Sequence, residues 1–258
     1  MFNLSFLRAT VILFLFILLQ SCASRKTVAY LQDINNNSSS ITEASFEPIL
    51  KKDDLLSIIV SANDPEITYM FNIPQIQGSY KVNENQDGIK TYLVDSKGEI
   101  EFPVIGRIAL AGLTITLAVD LLIEKIKPYI TNPTINLRIL NFKISVLGEV
   151  NRAGSFTINS ERITLLESIA NAGDLTIYGR RDNILVIREK DGKKSYNRLD
   201  ITKSDFVNSE FYYLTQNDVV IVEPNKTRVN SSAFGPNVSA TISALSVLAT
   251  IIILITRN

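Results

Sequence analysis

The sequence predicts an α+β fold, and three observations support this prediction. Apolar runs of strand length, such as Leu55 to Val60, alternate along the chain with segments of helical spacing. Thr164 and Glu167 have the T-x-x-E spacing of a helix capping box. Asp191-Gly192, a dipeptide typical of two-residue β-turns, lies between two further apolar runs. Together these features predict a small mixed sheet with packed helices.

Residues 1–21 are predicted to be a secretory signal peptide. Arg8 precedes the apolar run Ala9 to Leu19, which is too short to span a bilayer. Leu19-Gln20-Ser21-Cys22 resembles the bacterial lipobox, in which the Cys becomes the acylated first residue of the mature protein. Cys22 is therefore the predicted site of lipid attachment, with palmitate among its acyl groups. Ala23 follows it instead of Asp, and by the same resemblance this favours the outer membrane.

The chain then passes through a linker into a first domain. Residues 22–45, rich in Asn and Ser, are predicted to be the linker, and residues 46–140 the domain. Leu55 to Val60 is its first strand candidate. Tyr92 to Val94 and Glu99 to Val104 are separated by a turn, and this arrangement predicts a hairpin.

A helix and a strand complete the first domain. The helix is predicted over Thr116 to Tyr129 and stops ahead of Asn132-Pro133. Its buried face is predicted from apolar residues at helical spacing, which are Val119, Leu122, Ile126 and Tyr129. The strand is predicted from apolar residues that alternate with polar ones, which are Ile135, Leu137 and Ile139.

Residues 141–224 are predicted to form a second domain. It opens with a strand over Lys143 to Val150. The helix that begins at the Thr164 capping box is predicted to end at Gly173, where a C-terminal cap belongs. The remaining strands are predicted at Ile184 to Arg188, Ser195 to Ile201, Tyr212 to Leu214 and Val219 to Val222.

After a second linker, residues 225–237, the chain ends with a predicted transmembrane helix. Val238 to Ile255 carries no charge and as a helix would measure about 27 Å, close to the hydrocarbon thickness of a bilayer. Hydroxyl residues recur on one side of this helix, namely Ser239, Ser243, Ser246 and Thr250. The stripe indicates a face turned toward other helices or water. Equally, the hydroxyls of a lone anchor could bond back to their own turn's carbonyls.

The composition excludes several classes of function. The 258 residues include no His and only one Cys. Neither a Ser-His-Asp nor a Cys-His nucleophile pair can be built from them, nor a His-ligated metal site, nor an internal disulfide. Lys and Arg total 26, as do Asp and Glu, and this balance argues against nucleic-acid binding, which needs a basic surplus. No catalytic residue, cofactor or metal site is predicted.

Two groups of motifs lie in the middle of the chain, from about Phe46 to Pro224. The first group is Asp54-Leu55-Leu56-Ser57-Ile58, Asp64-Pro65-Glu66, the run from Val94 to Gly106, and Ala111-Gly112-Leu113-Thr114. The second group is Val146 to Val150, Ala153 to Phe156, Ala170 to Thr176, and Tyr213 to Val220. The first group resembles the export domain, and the second the soluble ligand-binding β-grasp (SLBB) domain, of the Wza-type outer-membrane polysaccharide export lipoproteins. Lys52-Asp53 and Ala153 depart from the family pattern.

The resemblance implies a channel without catalytic activity. The C-terminal helices of several copies, commonly eight, would form a ring in the outer membrane, above periplasmic domains. Capsular or extracellular polysaccharide would pass through the ring, delivered by an inner-membrane polysaccharide co-polymerase with its tyrosine kinase. Under this hypothesis Ser239, Ser243, Ser246 and Thr250 line the pore.

Two alternatives remain open at this point. The first is a monomeric periplasmic binding or adaptor lipoprotein whose C-terminal run is only an anchor. The second is a polysaccharide hydrolase that uses carboxylates alone, for which Glu99 and Glu101 share one strand face and could also hold a divalent cation. Tyr178, Tyr212 and Tyr213 could stack on sugar rings, although aromatic residues beside strands more often pack in the core.

Overall fold

The structure, a computed structural model, describes residues 28–34, 46–72, 91–190, 192–233, 242–244 and 246–251. Its strands are β1 Leu55–Ser61, β2 Thr91–Leu93, β3 Glu99–Phe102, β4 Gly106–Ala109, β5 Thr134–Ile139, β6 Lys143–Gly148, β7 Gly154–Thr157, β8 Ile163–Thr164, β9 Gly179–Lys190, β10 Lys193–Leu199, β11 Tyr213–Leu214 and β12 Val219–Pro224. Its helices are α1 Pro65–Tyr69, α2 Ile115–Ile126, α3 Leu165–Asn171 and α4 Lys226–Ala233, with a 3-10 helix at Asp205–Asn208. The predicted α+β class is confirmed.

The first core is built around a three-stranded antiparallel sheet of order β2-β1-β5. Alternation along β5 turns Ile135 and Leu137 inward, as predicted. Helix α2 starts at Thr114, whose hydroxyl oxygen accepts from the Leu117 amide at 3.3 Å. It covers the sheet with Ala118, Leu122 and Ile126, all fully buried.

Two predictions in this part of the chain are wrong. Strand β2 does not pair with β3; it pairs with β1, and β3 forms its hairpin with β4. The reason lies at Asp95, whose Oδ1 accepts from the amides of Lys97 and Glu99 at 2.8 and 2.9 Å and so redirects the chain. Tyr129 is not part of a buried helical face either, because α2 ends at Ile126 and leaves Tyr129 52% exposed.

The second core lies under a five-stranded mixed sheet of order β10-β9-β12-β6-β7. Strand β12 pairs parallel with β6 and antiparallel with β9. The hairpin predicted at Asp191-Gly192 is the β9–β10 pair. The capping box of α3 is confirmed, since Thr164 and Glu167 each accept from the other's amide, at 3.2 and 2.7 Å. The short strands β8 and β11 pair with each other, outside this sheet.

The direction of strands β6 and β12 shows which end of the second domain lies near the first domain and which lies far from it. Strands β6 and β12 both begin beside the first domain, where the Ser145 amide donates to the Asp218 carbonyl, and both run away from it. They finish at Gly148 and Pro224, so the residues that follow them lie at the far end of the second domain. The chain after β12 therefore leaves the domain at the end opposite to the first domain.

Candidate functional site

Most of the residues predicted to carry function lie at the two chain ends, and the structure describes only some of them. Cys22 and Ser239 lie outside the described residues. Ser243, Ser246 and Thr250 are described, in two helical stretches over residues 242–244 and 246–251. Within the described part of the chain, no helix combines the length and apolar character that crossing a bilayer requires.

Two of the described hydroxyls of the predicted stripe bond to main-chain carbonyls three and four residues earlier. Ser246 Oγ donates to the Ser243 carbonyl and Thr250 Oγ1 donates to the Ser246 carbonyl, both over 2.8 Å. Such back-bonding satisfies a hydroxyl without any neighbouring chain. Apolar side chains of the same two helical stretches are strongly exposed; these are Ile242, Val247, Leu248 and Ile251. In this single chain the helix therefore presents an apolar surface and locally satisfied hydroxyls.

Residues close to Cys22 are held against the second domain. The amides of Leu31 and Gln32 donate to the carbonyls of Ile201 and Thr202 at 3.2 and 2.7 Å. Asp33 accepts from the amide and the hydroxyl of Ser204, at 2.7 and 3.0 Å. These contacts fix residues 30–33 of the predicted linker.

Tyr30 ties this segment to the far end of the domain. Its hydroxyl donates to Asp174 Oδ1, and its ring lies 5.7 Å from the guanidinium carbon of Arg181. Burial and the Asp174 carboxylate both raise the pKa of Tyr30. Arg181 is 4% exposed and donates from Nη1 to the carbonyls of Thr176 and Gly179, at 3.0 and 2.7 Å. A buried guanidinium thus links the N-terminal segment to the turn at residues 176–179.

The segment that follows β12 and leads to the C-terminus begins beside the same turn, residues 176–179. The Asn225 amide donates to the Tyr178 carbonyl at 2.7 Å, and the Asn225 side chain caps α4 by accepting from the Arg228 amide at 3.0 Å. Arg228 pairs with Glu149 at 3.1 Å and lies 5.5 Å from the centre of the Tyr178 ring. We call this end of the second domain the exit face, defined by Tyr30, Glu149, the turn 176–179, and residues 225–228.

A polar joint connects the two domains at the opposite end. Asn141 lies between β5 and β6, and its side chain accepts from the Leu55 amide and donates to the Asp53 carbonyl, both over 2.8 Å. Gln216 accepts from the Lys143 amide and donates to the Asn141 carbonyl, both over 2.7 Å. Lys51 Nζ reaches Thr215 Oγ1 across the boundary at 3.2 Å. We call this set of contacts the joint.

Asp54 is the buried acid beside the joint. It is 1% exposed, and its Oδ2 accepts from the Lys51 amide at 2.7 Å. Its Oδ1 is buried without a hydrogen-bond partner among the described residues. Burial raises the pKa of Asp54 to about 6, although the Lys51 contacts act in the opposite direction.

The carboxylate pair considered for hydrolysis lies on an open groove. Glu99 and Glu101 line it together with Asp95 and Arg107, in a volume of about 230 Å³. Glu101 lies opposite Arg107 in the β3–β4 register, and Asp95 accepts backbone bonds that lower its pKa. Among the described residues no cluster of His, Cys, Asp or Glu is suited to hold a metal ion.

The three tyrosines considered for sugar stacking are packed against other side chains. Tyr213 stacks on Phe46 with ring centres 4.9 Å apart. Tyr212 packs against Phe206 at 5.9 Å and against the edge of Tyr213 at 5.0 Å. Tyr178 lies beneath Arg228. Each of the three rings therefore has at least one face or edge packed against another side chain.

Comparison with known proteins identifies the architecture. Residues 43–140 match the family described as polysaccharide biosynthesis/export protein, and residues 142–222 match the SLBB domain. The chain belongs to the Wza-like polysaccharide export family. Members of this export family are transport proteins and not enzymes, so the prediction of a non-catalytic chain is confirmed.

Two relatives of this chain carry the same name, EPS I polysaccharide export outer membrane protein EpsA. The one from Ralstonia solanacearum is 26% identical over 178 residues, which cover 67% of this chain and 47% of the relative. The one from Ralstonia nicotianae (strain ATCC BAA-1114 / GMI1000) is 28% identical over 141 residues, which cover 52% of this chain and 37% of the relative. The matched stretches thus span less than half the length of the curated relatives.

Sequence reasoning missed the exit face and the joint. Val28 to Leu31 is a short apolar run in an otherwise polar predicted linker, and such a run is a signal for docking that the composition argument overlooked. Asn141 and Gln216 carried no comparable signal, because their roles depend on which distant amides the fold brings beside them.

Proposed function

We propose that this chain is an outer-membrane lipoprotein that exports capsular or extracellular polysaccharide as a homo-oligomeric ring. The observation that carries the proposal is the succession of two export-family domains over residues 43–222. Two relatives that are named as polysaccharide export outer membrane proteins support the choice of cargo and of membrane. An inner-membrane polysaccharide co-polymerase with its tyrosine kinase delivers the polymer in this proposal.

The membrane attachment has two parts in the proposal. An acyl chain at Cys22 anchors the mature N-terminus, after removal of residues 1–21. Val238 to Ile255 forms a spanning helix, and copies of it close a ring of about eight around a hydrated lumen. Ser239, Ser243, Ser246 and Thr250 then line that lumen, where weak and replaceable hydrogen bonds let a sugar polymer slide. The periplasmic domains keep the predicted limits, 46–140 and 141–224.

A second candidate is a monomeric periplasmic polysaccharide-binding or adaptor lipoprotein with a C-terminal anchor. The back-bonded hydroxyls of Ser246 and Thr250 favour it, since they are already satisfied without a neighbouring helix. The two candidates share the lipid and the membrane and differ in oligomeric state.

Native mass spectrometry of the detergent-extracted mature protein separates the two candidates. We expect a multimer of defined size whose subunits each carry an acyl mass. Deletion of residues 238–258 should reduce it to monomers and leave the acyl mass in place, while Cys22→Ser should remove the acyl mass. A lipidated monomer for the intact chain would overturn the ring and favour the adaptor. An unmodified protein would overturn lipid attachment in both candidates.

A further inference from the structure

A tight turn at the exit face presents an apolar side chain to the outside. The Gly179 amide donates to the Thr176 carbonyl at 3.0 Å, which closes a β-turn with Ile177 and Tyr178 at its corners. Ile177 is 61% exposed and Tyr178 is 37% exposed. The turn is firmly held, because Arg181 bonds to both of its end carbonyls and the Thr176 amide donates to the Glu149 carbonyl at 3.0 Å. At the corner of this rigid turn the isoleucine presents apolar surface that a contact with an apolar partner would bury favourably.

Both chain ends leave the second domain beside this turn. On one side, Arg181 joins the turn to Tyr30. On the other side, the Tyr178 carbonyl accepts from Asn225, the residue before α4. The turn therefore lies between the two segments that lead to the proposed membrane attachments, at the end of the molecule opposite to the joint.

The lengths of these two segments limit the distance of the turn from the membrane. Seven residues lie between Cys22 and Tyr30, and even a fully extended chain over these eight Cα-to-Cα steps spans no more than about 28 Å. From Asn225 the chain reaches Val238 through the eight residues of α4 and five more, a span of at most about 30 Å. Two short connections from one face leave the second domain little freedom to turn that face away.

Charge gives this face little net attraction to lipid headgroups. Its basic side chains are Arg152, Arg180, Lys226, Arg228 and the buried Arg181. They are opposed by acidic side chains nearby, which are Glu149, Asp174, Asp182 and Glu223. Salt bridges neutralise part of each set, as between Arg180 and Asp182 and between Arg228 and Glu149. Contact with a bilayer must therefore come from the apolar corner and from the high local concentration that the tethers create.

We propose that the turn 176–179 rests on the periplasmic surface of the outer membrane, with Ile177 inserted at the headgroup boundary and Tyr178 beside it. This inference rests on the proposed membrane attachment and adds a third, non-covalent contact to it. An apolar side chain beside a Tyr at the interface suits both residues, because the phenol keeps its polar tip in water. The contact fixes the tilt of the second domain beneath the membrane.

Single-site fluorescence tests the contact on the full-length lipidated protein. Cys22 is the only native Cys and its sulfur is occupied once acylated, so Ile177→Cys provides one labelling site for an environment-sensitive dye such as NBD. The protein is reconstituted in phosphatidylethanolamine and phosphatidylglycerol vesicles, with or without lipids that carry a nitroxide quencher. Tyr69→Cys, at a 69% exposed residue of α1 in the first domain, is the matched control.

We expect a blue-shifted dye at position 177 that the lipid-borne nitroxide quenches at least twofold, and neither effect at position 69. A blue shift without quenching would overturn the proposal and indicate that another copy of the chain covers the turn. Unshifted emission in a protein whose acyl mass is confirmed would overturn the contact and leave the proposed function standing. Absence of the acyl mass would overturn both, since the tether would be missing.

Discussion

Gln216 donates from its side-chain amide to the main-chain carbonyl of Asn141 over 2.7 Å. The Asn141 side chain points the other way, to Leu55 and Asp53 of the first domain. Asn141 thus connects Gln216 of the second domain to the first domain through one chain of hydrogen bonds, so the two domains are joined by more than the peptide link between them.

The first prediction concerns this joint. Asn141→Ala removes two hydrogen bonds to the first domain and should lower the free energy of unfolding by about 1–3 kcal/mol. Limited proteolysis should also cut the variant faster between β5 and β6, because the domains separate more readily. Asn136→Ala, at an exposed position on β5, is the control and should behave as the wild type. Equal cleavage rates for the two variants would show that the joint does not hold the domains together.

The second prediction concerns Gly148, where β6 ends. Its φ is +93°, and a Cβ atom there would lie 2.0 Å from the Val222 carbonyl oxygen. Gly148→Ala should therefore cost more than about 4 kcal/mol or prevent folding, because β6 and β12 would be pushed apart. Gly112→Ala has a similar φ of +88° with open space around it, and should cost only about 1–2 kcal/mol. Urea unfolding of both variants measures the difference; similar losses would contradict the steric argument.

The third prediction concerns the pH dependence that Asp54 adds to stability. Its pKa is about 6 in the folded protein and near 3.8 in the unfolded chain, so the folded state binds the proton more tightly. The resulting stabilisation is complete below about pH 4 and is lost as the pH rises through 6. Wild type should therefore gain stability relative to Asp54→Asn, by the order of 3 kcal/mol, as the pH falls from 7.5 to 4.

Comparison with the Asn variant at each pH isolates Asp54 from the other acids. Asp182 and Glu223 have lowered pKa values because they bond to Arg180 and Arg198. Their contribution to the free energy of unfolding therefore decreases as the pH is lowered, and it does so equally in the wild type and in the Asn variant. A melting-temperature difference that stays constant from pH 7.5 to 4 would show that Asp54 is ionised like a surface carboxylate.

The fourth prediction contrasts two ion pairs of the second domain. Asp218 is fully buried and Arg188 bonds to both of its carboxylate oxygens, the closest contact being 2.7 Å. Arg188→Lys keeps the charge but loses this paired geometry, and should cost about 2–4 kcal/mol. Arg198 and Glu223 form an exposed pair at 2.7 Å, so Arg198→Ala should cost less than about 1 kcal/mol. Thermal unfolding ranks the two variants, and the reverse order would contradict the burial argument.

The fifth prediction concerns the hydroxyl stripe. Replacing Ser239, Ser243, Ser246 and Thr250 together by Leu keeps a helix of the same length but makes the proposed lumen apolar. Surface polysaccharide should fall at least tenfold at unchanged protein level. The matched control replaces residues on the opposite side, Leu248, Ile252 and Ile255, by Ala and should export normally. Normal export by the Leu variant would favour the lone anchor.

The sequence correctly predicted features that depend on interactions between residues close together in the chain. The capping box of α3 is a bond between residues three apart, and the alternation of β5 follows from the two-residue repeat of a strand. Both predictions are confirmed. The pairing of β2 was wrong because it depends on a strand more than thirty residues earlier, which no local pattern reveals.

The sequence also does not predict which individual polar residues are buried. Asp53 and Asp54 are neighbours of the same type, yet Asp53 is exposed and Asp54 is buried. The difference arises from the backbone turn at Asp53, whose φ is +67° and which directs the next side chain inward. Tyr30 is a similar case, because its partners Asp174 and Arg181 are over 140 residues away.

The central position of β12 has a mechanical consequence. The strand begins next to Gln216, at the joint, and its last residue precedes the segment that leads to the proposed membrane helix. A pull between the membrane and the first domain would act along β12, almost perpendicular to the hydrogen bonds that tie it to β6 and β9. Such a force would load these bonds in shear, and they would have to break together. Strand β12 is therefore suited to carry mechanical tension between the first domain and the membrane.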